Sequence, residues 1–159
     1  MQLDRVFHEF SGPFMGKASP VHFFWGALDL AVTRFSGRPG PRHPGGAPNC
    51  PDYVMVEGYS HELNSAGFWP GDESFREAAF YSYAYPEPEG FARANPGPAD
   101  AVYSTSLHEF VLPYEKVRLL ADPAEAILHF LRNTYAAAAT LGNWDRAALE
   151  RVPPGPIQR

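Results

Sequence analysis

One long amphipathic helix near the carboxyl end is the feature that most constrains the fold. Asp122 can cap it, Pro123 suits the first helical position, and Glu125 completes the pattern of a capping box. We expect the helix to run from Pro123 to about residue 141 and to end at Gly142. Its apolar residues recur at helical spacing and form one stripe: Ala124, Ile127, Leu128, Leu131, Tyr135 and Ala138. The rest of the chain must supply the surface on which this stripe packs.

The segments before this helix are typical of β-strands. A short amphipathic helix is predicted at the start, where Leu3, Val6, Phe7 and Phe10 share one face, and strands are expected at 21–35, 53–63, 76–85 and 101–112. At about 3.3 Å per residue the first strand is too long for a small domain, so it should bend, most naturally at Gly26. These elements predict an α+β fold, with an antiparallel sheet of about four strands and both helices packed on one face.

Proline and glycine set the domain boundaries. Residues 36–52 hold five prolines and four glycines, which predicts a long loop. The 159 residues suit one domain, placed at 1–152 with a short helix at 144–150. The proline-rich tail at 153–159 is expected to be disordered.

Composition excludes several classes of function. A net charge of −5 disfavours binding to nucleic acid, which requires a basic surface. The single cysteine, Cys50, cannot form an internal disulfide or a cysteine-based zinc site. No apolar run approaches the length of a bilayer span and the N-terminus lacks a signal-peptide pattern, so we expect no membrane association and a soluble, cytoplasmic protein.

Several long strings carry a family likeness. They are FMGKASPVHFFWGALDLAVTRFSGR (14–38), HPGG (43–46), YSHE…SAGFWPG (59–71), AFYSYAYPEPEGF (79–91), EFVLPYE (109–115) and WDRAALE (144–150). With them the chain resembles the C-terminal half of an uncharacterised bacterial family of domains of unknown function. The resemblance implies a cytoplasmic α+β domain and a companion N-terminal half, and it implies no catalytic residues.

Histidines and a carboxylate form the first candidate site. His61 and Glu62, with His22 as a companion, are candidate catalytic residues, since imidazole exchanges protons near neutral pH and a carboxyl group in an apolar pocket can act with it as an acid or base. His22, His43 and His61 could instead hold a divalent transition metal. On a regular strand His61 and Glu62 point to opposite faces, which opposes a shared site. A hydrogen-bonded structural histidine is the alternative.

A ladder of tyrosines is the second candidate. Tyr81 and Tyr83 share one face of their strand, opposite Phe80 and Ser82. A pocket of aromatic walls and convergent polar groups is the usual form of a small-molecule site. The candidate ligand-binding residues are Trp25, Asp29, Glu57, Tyr59, Trp69, Tyr81 and Tyr83. Ordinary cross-strand aromatic packing is the competing interpretation.

The basic loop is the third candidate. Arg38 and Arg42, near Arg34 and His43, could bind a phosphate or a carboxylate. A solvated connector is the alternative.

Two functions of different kinds remain. The first is a small-molecule-binding domain or an enzyme, with an aromatic, histidine and carboxylate pocket on the sheet. The second is a non-catalytic interaction module that pairs through its aromatic face with itself, as a homo-oligomer, or with the companion N-terminal half.

Overall fold

The chain folds around one six-stranded antiparallel sheet. The computed structural model describes residues 3–46, 50–73 and 75–151. The strands are β1 (His22–Phe24), β2 (Asp29–Pro39), β3 (His61–Trp69), β4 (Ala79–Tyr85), β5 (Val102–Ser104) and β6 (Glu109–Pro113), in the order β1-β2-β3-β4-β6-β5. The helices are α1 (Leu3–Ser11), α2 (Asp52–Gly58), α3 (Tyr114–Val117), α4 (Pro123–Leu141) and α5 (Arg146–Leu149), with a 3₁₀ turn at Phe91–Arg93.

The predicted α+β class is confirmed, but two predicted strands are hairpins. The run at 21–35 reverses at residues 25–28, so that Phe24 pairs with Asp29. The run at 101–112 reverses at residues 105–108. Each turn ends on a non-glycine residue in the left-handed region, Leu28 and His108, both with φ of 57°. The first reversal contains Gly26, where the sequence predicted a bend. The second turn contains neither glycine nor proline, so the sequence does not signal that reversal.

The predicted strand at 53–63 is also wrong. Its first part is α2, which begins after Pro51 with Asp52 in its first turn, and β3 begins only at His61. Short apolar runs do not distinguish helix from strand by periodicity, and Val54 and Val56 favoured the wrong choice. The predicted loop at 36–52 is shorter than expected, because β2 continues to Pro39.

The helices α1 and α4 pack on one face of the sheet and form the core there. The Asp122 carboxylate accepts a hydrogen bond of 3.0 Å from the backbone nitrogen of Glu125, which confirms the predicted cap of α4. Six phenylalanines are fully buried in this layer: Phe7, Phe10, Phe80, Phe91, Phe110 and Phe130. Each buried ring stabilises the fold by roughly 1.5–3 kcal/mol, so this layer holds the domain together.

The opposite side of the sheet, called here the distal face, carries polar residues. Register places Thr33, Ser65 and Tyr83 in one row across β2, β3 and β4, and Ala31, Gly67 and Tyr81 in the next. In β6, Val111 follows Tyr81 in that second row. Asp29 and Glu109, the first residues of β2 and β6, complete this face. Both acids directly follow the left-handed residue of a hairpin turn.

Two further predictions concern the tail and the absence of a membrane span. The tail at 153–159, predicted to be disordered, lies outside the described residues. Within the described residues, no helix combines the length and the apolar character needed to cross a membrane.

Candidate functional site

A carboxylate and a phenol meet across an intervening strand on the distal face. The Tyr81 hydroxyl donates a 2.5 Å hydrogen bond to Oδ2 of Asp29, although β3 separates their strands. The ring of Tyr81 crosses β3 at Gly67, where an added Cβ would lie 2.6 Å from the phenol oxygen. Glycine at this position therefore makes the contact possible. Asp29 and Tyr81 are each 8% exposed, so the bond is shielded from water.

A second chain of hydrogen bonds runs beside the first. The Tyr83 hydroxyl lies 2.7 Å from that of Tyr59, which reaches the distal face from the segment between α2 and β3. Ser65 bonds to Tyr83 and lies 3.0 Å from the hydroxyl of Thr33. The rings of Tyr59, Tyr83 and Tyr81 are stacked, with centroids 6.3 and 6.1 Å apart. The predicted tyrosine ladder thus carries connected polar groups.

Glu109 is the third component of this face. Its side chain is half-buried, and the described part of the chain offers its carboxyl group no hydrogen bond or ion pair. Burial, and to a smaller extent the charge of Asp29, raises the pKa of Glu109 to about 7. A carboxyl group with this pKa can both release and accept a proton near neutral pH. We define Asp29, Tyr59, Tyr81, Tyr83 and Glu109 as the distal cluster.

The tyrosines of the cluster are hydrogen-bonding groups and not nucleophiles. Burial is the main cause that raises the pKa of Tyr81 and of Tyr83 well above the usual value, and it raises that of Tyr59 as well. All three phenols therefore stay neutral at physiological pH. The arrangement can bind a polar ligand and move a proton through Glu109.

The three predicted catalytic residues do not share this site. His22 is exposed on β1 and packs edge-to-face on Phe24 at 4.8 Å. His61 lies at the start of β3, where its Nδ1 is 3.1 Å from the Ser60 hydroxyl. His22 pairs with Ala31, the row of Gly67, so the two histidines are roughly 20 Å apart along the strands.

Glu62 points to the other side of the sheet, as its strand position requires. Its Oε2 accepts bonds of 3.0 and 2.6 Å from Nε and a terminal nitrogen of Arg38. Arg38 also donates to the backbone carbonyls of Gly142 and Asn143, just beyond α4. The pair therefore connects the sheet to the end of α4. Glu62 also lines a cavity of about 210 Å³ with Tyr85, Pro86 and Trp144.

The geometry does not support the predicted histidine metal site. The ring of His43 makes tilted contacts with Tyr59 and Tyr85, with centroids 4.5 and 5.1 Å apart, and its Nδ1 accepts a hydrogen bond from the backbone of Gly45. Throughout residues 3–46, 50–73 and 75–151, no three histidine, cysteine or acidic side chains are grouped to hold a metal ion.

Of the remaining predicted ligand-binding residues, Trp69 lies on the distal face of β3, and the others are exposed outside the five residues of the cluster. Trp25 lies in the turn of the first hairpin and is 82% exposed. Trp69 stacks on Phe75, with ring centroids 6.0 Å apart. Glu57 is exposed on α2, and Arg42 is exposed in the loop after β2. Of the candidates named from sequence, Asp29, Tyr59, Tyr81 and Tyr83 come together.

Sequence reasoning missed Glu109. It was placed inside one continuous strand, which concealed its position directly after a turn. One signal was available, because Glu109 is the polar residue at the start of the apolar run that continues with Phe110, Val111 and Leu112. Their strand parity places Glu109 on the distal face.

Comparison with known proteins gives a family and no function. No curated protein and no solved structure matches the chain. One family model, described as "Family of unknown function (DUF5996)", matches residues 1–151. That match covers nearly the whole chain and confirms the expected resemblance to a family of domains of unknown function. The chain belongs to this family of unknown function, DUF5996.

Proposed function

We propose that the domain binds a small polar molecule on the distal face and that Glu109 exchanges a proton with it. The observation that carries the proposal is the convergence of five polar side chains from four separate segments on one side of the sheet. These are the residues of the distal cluster: Asp29, Tyr59, Tyr81, Tyr83 and Glu109.

Ordinary aromatic packing accounts poorly for this arrangement. A core needs no carboxyl groups, and burying one without a partner costs free energy. Asp29 is satisfied by Tyr81, whereas Glu109 has no hydrogen-bond partner among the described residues. A ligand with a hydrogen-bond donor at Glu109 would offset the cost of that burial.

The charge of the cluster indicates the class of ligand. It contains two carboxyl groups and three phenols, and no described arginine or lysine forms an ion pair with Asp29 or Glu109. The stacked tyrosine rings favour a flat or cationic partner. We therefore infer a small ligand that carries an amine or another basic nitrogen.

Benzylamine and its neutral analogue benzyl alcohol test the proposal. We expect benzylamine to shift the NMR resonances of the distal cluster in a saturable manner, and benzyl alcohol to do so much more weakly. Glu109→Gln and Asp29→Asn should each weaken benzylamine binding about tenfold or more, since each removes a charge-assisted contact. Glu115→Gln, an exposed change on α3, serves as the matched control. Equal binding by both probes, or unchanged affinity in Glu109→Gln, would contradict the proposal.

An interaction role is a second candidate, supported by a different surface. β1 is an edge strand, and all three of its residues are exposed. Phe23 and Phe24 are each 43% exposed beside Trp25. Pairing of β1 with β1 of a second copy would bury these rings and extend the sheet. We expect sedimentation to detect a dimer that Trp25→Ser weakens, and a native monomer at about 100 μM would eliminate this candidate.

A further inference from the structure

Arg34 is a buried cation on the side of the sheet that faces the helices. It is 4% exposed in β2, and its guanidinium carbon lies 3.5 Å from the ring centroid of Phe10 and 4.4 Å from that of Tyr135. Burial lowers the pKa of Arg34 to about 10, although Tyr135 and Glu150 oppose the change. The group therefore remains charged at neutral pH.

Aromatic rings and one backbone carbonyl stabilise this charge, but no described carboxylate is paired with it. One terminal nitrogen donates to the backbone carbonyl of Phe10 in the last turn of α1, which is an ordinary role at a helix end. No described carboxylate forms a salt bridge with Arg34, and its Nε has no hydrogen-bond partner. An unpaired buried charge is costly, so a retained one indicates an additional partner.

A cavity adjoins the guanidinium group. It measures about 180 Å³ and lies between α1, α4 and the residues that follow α5. Phe10, Pro13 and Phe14 form apolar parts of its wall. At about 30 Å³ per water it holds roughly six water molecules, and it is smaller than the roughly 300–1,000 Å³ of drug-sized sites. The part of an occupant that enters the cavity must therefore be small, such as a single ring or a short chain.

The other charges around the cavity leave a positive excess. Arg132, Arg146 and Arg151 also line it, with Glu150 as the one carboxylate among the described residues of its wall. Glu150 is occupied by Arg146, at 2.6 and 3.1 Å, and by the Tyr135 hydroxyl at 3.0 Å. Arg132 forms salt bridges with one acidic residue of α1 and one of α4. Arg151, like Arg34, has no described salt bridge, and its backbone nitrogen is fixed to Pro13.

We propose that this cavity is a binding site for a small organic anion. The carboxylate or phosphate group of the anion pairs with Arg34 and Arg151, and its apolar part lies against Phe10 and Phe14. Arginine suits this role because its planar group binds such oxygens through two parallel hydrogen bonds. The site lies on the opposite side of the sheet from the distal cluster, so it does not depend on the function proposed above.

Benzoate and its neutral analogue benzamide test this site, with phenyl phosphate to separate a carboxylate from a phosphate preference. We expect benzoate or phenyl phosphate to shift the side-chain Nε–Hε resonance of Arg34 in a saturable manner. Benzamide and benzylamine should leave that resonance in place. No saturable shift with either anion up to about 10 mM, or equal binding of benzamide, would overturn the proposal.

Two variants and one control locate the anion. Arg34→Met keeps an apolar stem and should weaken anion binding at least about tenfold, as expected for a lost charged hydrogen bond. Arg151→Gln, an exposed change at the rim, should weaken it about two- to fivefold. Arg118→Gln, directly after α3, removes the same charge and should leave affinity unchanged. If Arg34→Met does not fold, the site is tested by the Arg34 resonance of the native protein and by the affinity of Arg151→Gln. Native affinity in Arg151→Gln would then refute the site.

Discussion

Replacing Glu109 with glutamine should stabilise the domain at alkaline pH and have little effect in acid. The carboxyl group is half-buried on the distal face, and burial with the nearby charge of Asp29 raises its pKa from 4.5 to about 7. The folded chain therefore disfavours the charged form of this residue. Glutamine has nearly the same shape and remains uncharged at every pH, so it removes that cost.

The sign and size of the effect follow from proton linkage. Below about pH 4.5 the carboxyl group is protonated in both the folded and the unfolded chain, so it costs no stability. Between 4.5 and about 7 the folded chain keeps a proton that the unfolded chain has released, and the free energy of unfolding falls as pH rises. At about 1.4 kcal/mol per pH unit this interval corresponds to at most about 3 kcal/mol, fully lost above about pH 7.

Urea denaturation of both proteins from about pH 4 to pH 8.5 measures this effect. We expect Glu109→Gln and the native chain to differ little at the acid end, and the variant to be more stable by up to about 3 kcal/mol at the alkaline end. Glu115→Gln, which removes an exposed carboxyl group, corrects for the loss of one charge from a chain of net charge −5. A difference between Glu109→Gln and native that does not change with pH would refute the reasoning.

Three further changes test the architecture by urea denaturation. Asp122→Ala removes the cap of α4 and should cost about 1 kcal/mol, and no loss would contradict the cap to Glu125. Phe7→Ala empties a fully buried position and should cost about 3–5 kcal/mol, whereas a loss under about 1 kcal/mol would place α1 outside the core. Gly67→Ala puts a methyl group 2.6 Å from the Tyr81 ring and should cost about 1–3 kcal/mol, and native stability would mean that the ring does not cross β3 there.

Local chemistry made part of this fold predictable. The cap and apolar stripe of α4 depend on residues that are close together in the sequence. The alternation of Tyr81 and Tyr83 with Phe80 and Ser82 requires only that the segment is a strand. Both predictions rest on short-range geometry. They hold because tertiary packing agrees with local preference in these elements.

Long-range contacts made the rest unpredictable. Leu28 and His108 both adopt the left-handed region, which is uncommon for residues other than glycine, so the two hairpins are stabilised by strand pairing. The bond between Asp29 and Tyr81 requires β3 to lie between their strands with glycine at the crossing point. Neither condition is visible in the residues surrounding Asp29.

The candidate site was also difficult to predict from sequence, because it depends on long-range contacts. Sequence reasoning grouped His22, His61 and Glu62 because their chemistry matched, although strand alternation already opposed a site shared by His61 and Glu62. The structure places the three residues in different surroundings. Residue type identified which groups can exchange protons, while the order of strands determined which of them meet.

A carbon-13 NMR titration of the Glu109 carboxyl group tests the central claim most directly, namely that the distal face holds a proton-exchanging carboxyl group. We predict a midpoint near pH 7, and a lower midpoint in Asp29→Asn because the charge of Asp29 contributes to the rise. A midpoint near 4.5, unchanged in Asp29→Asn, would describe an ordinary solvated glutamate and contradict the account.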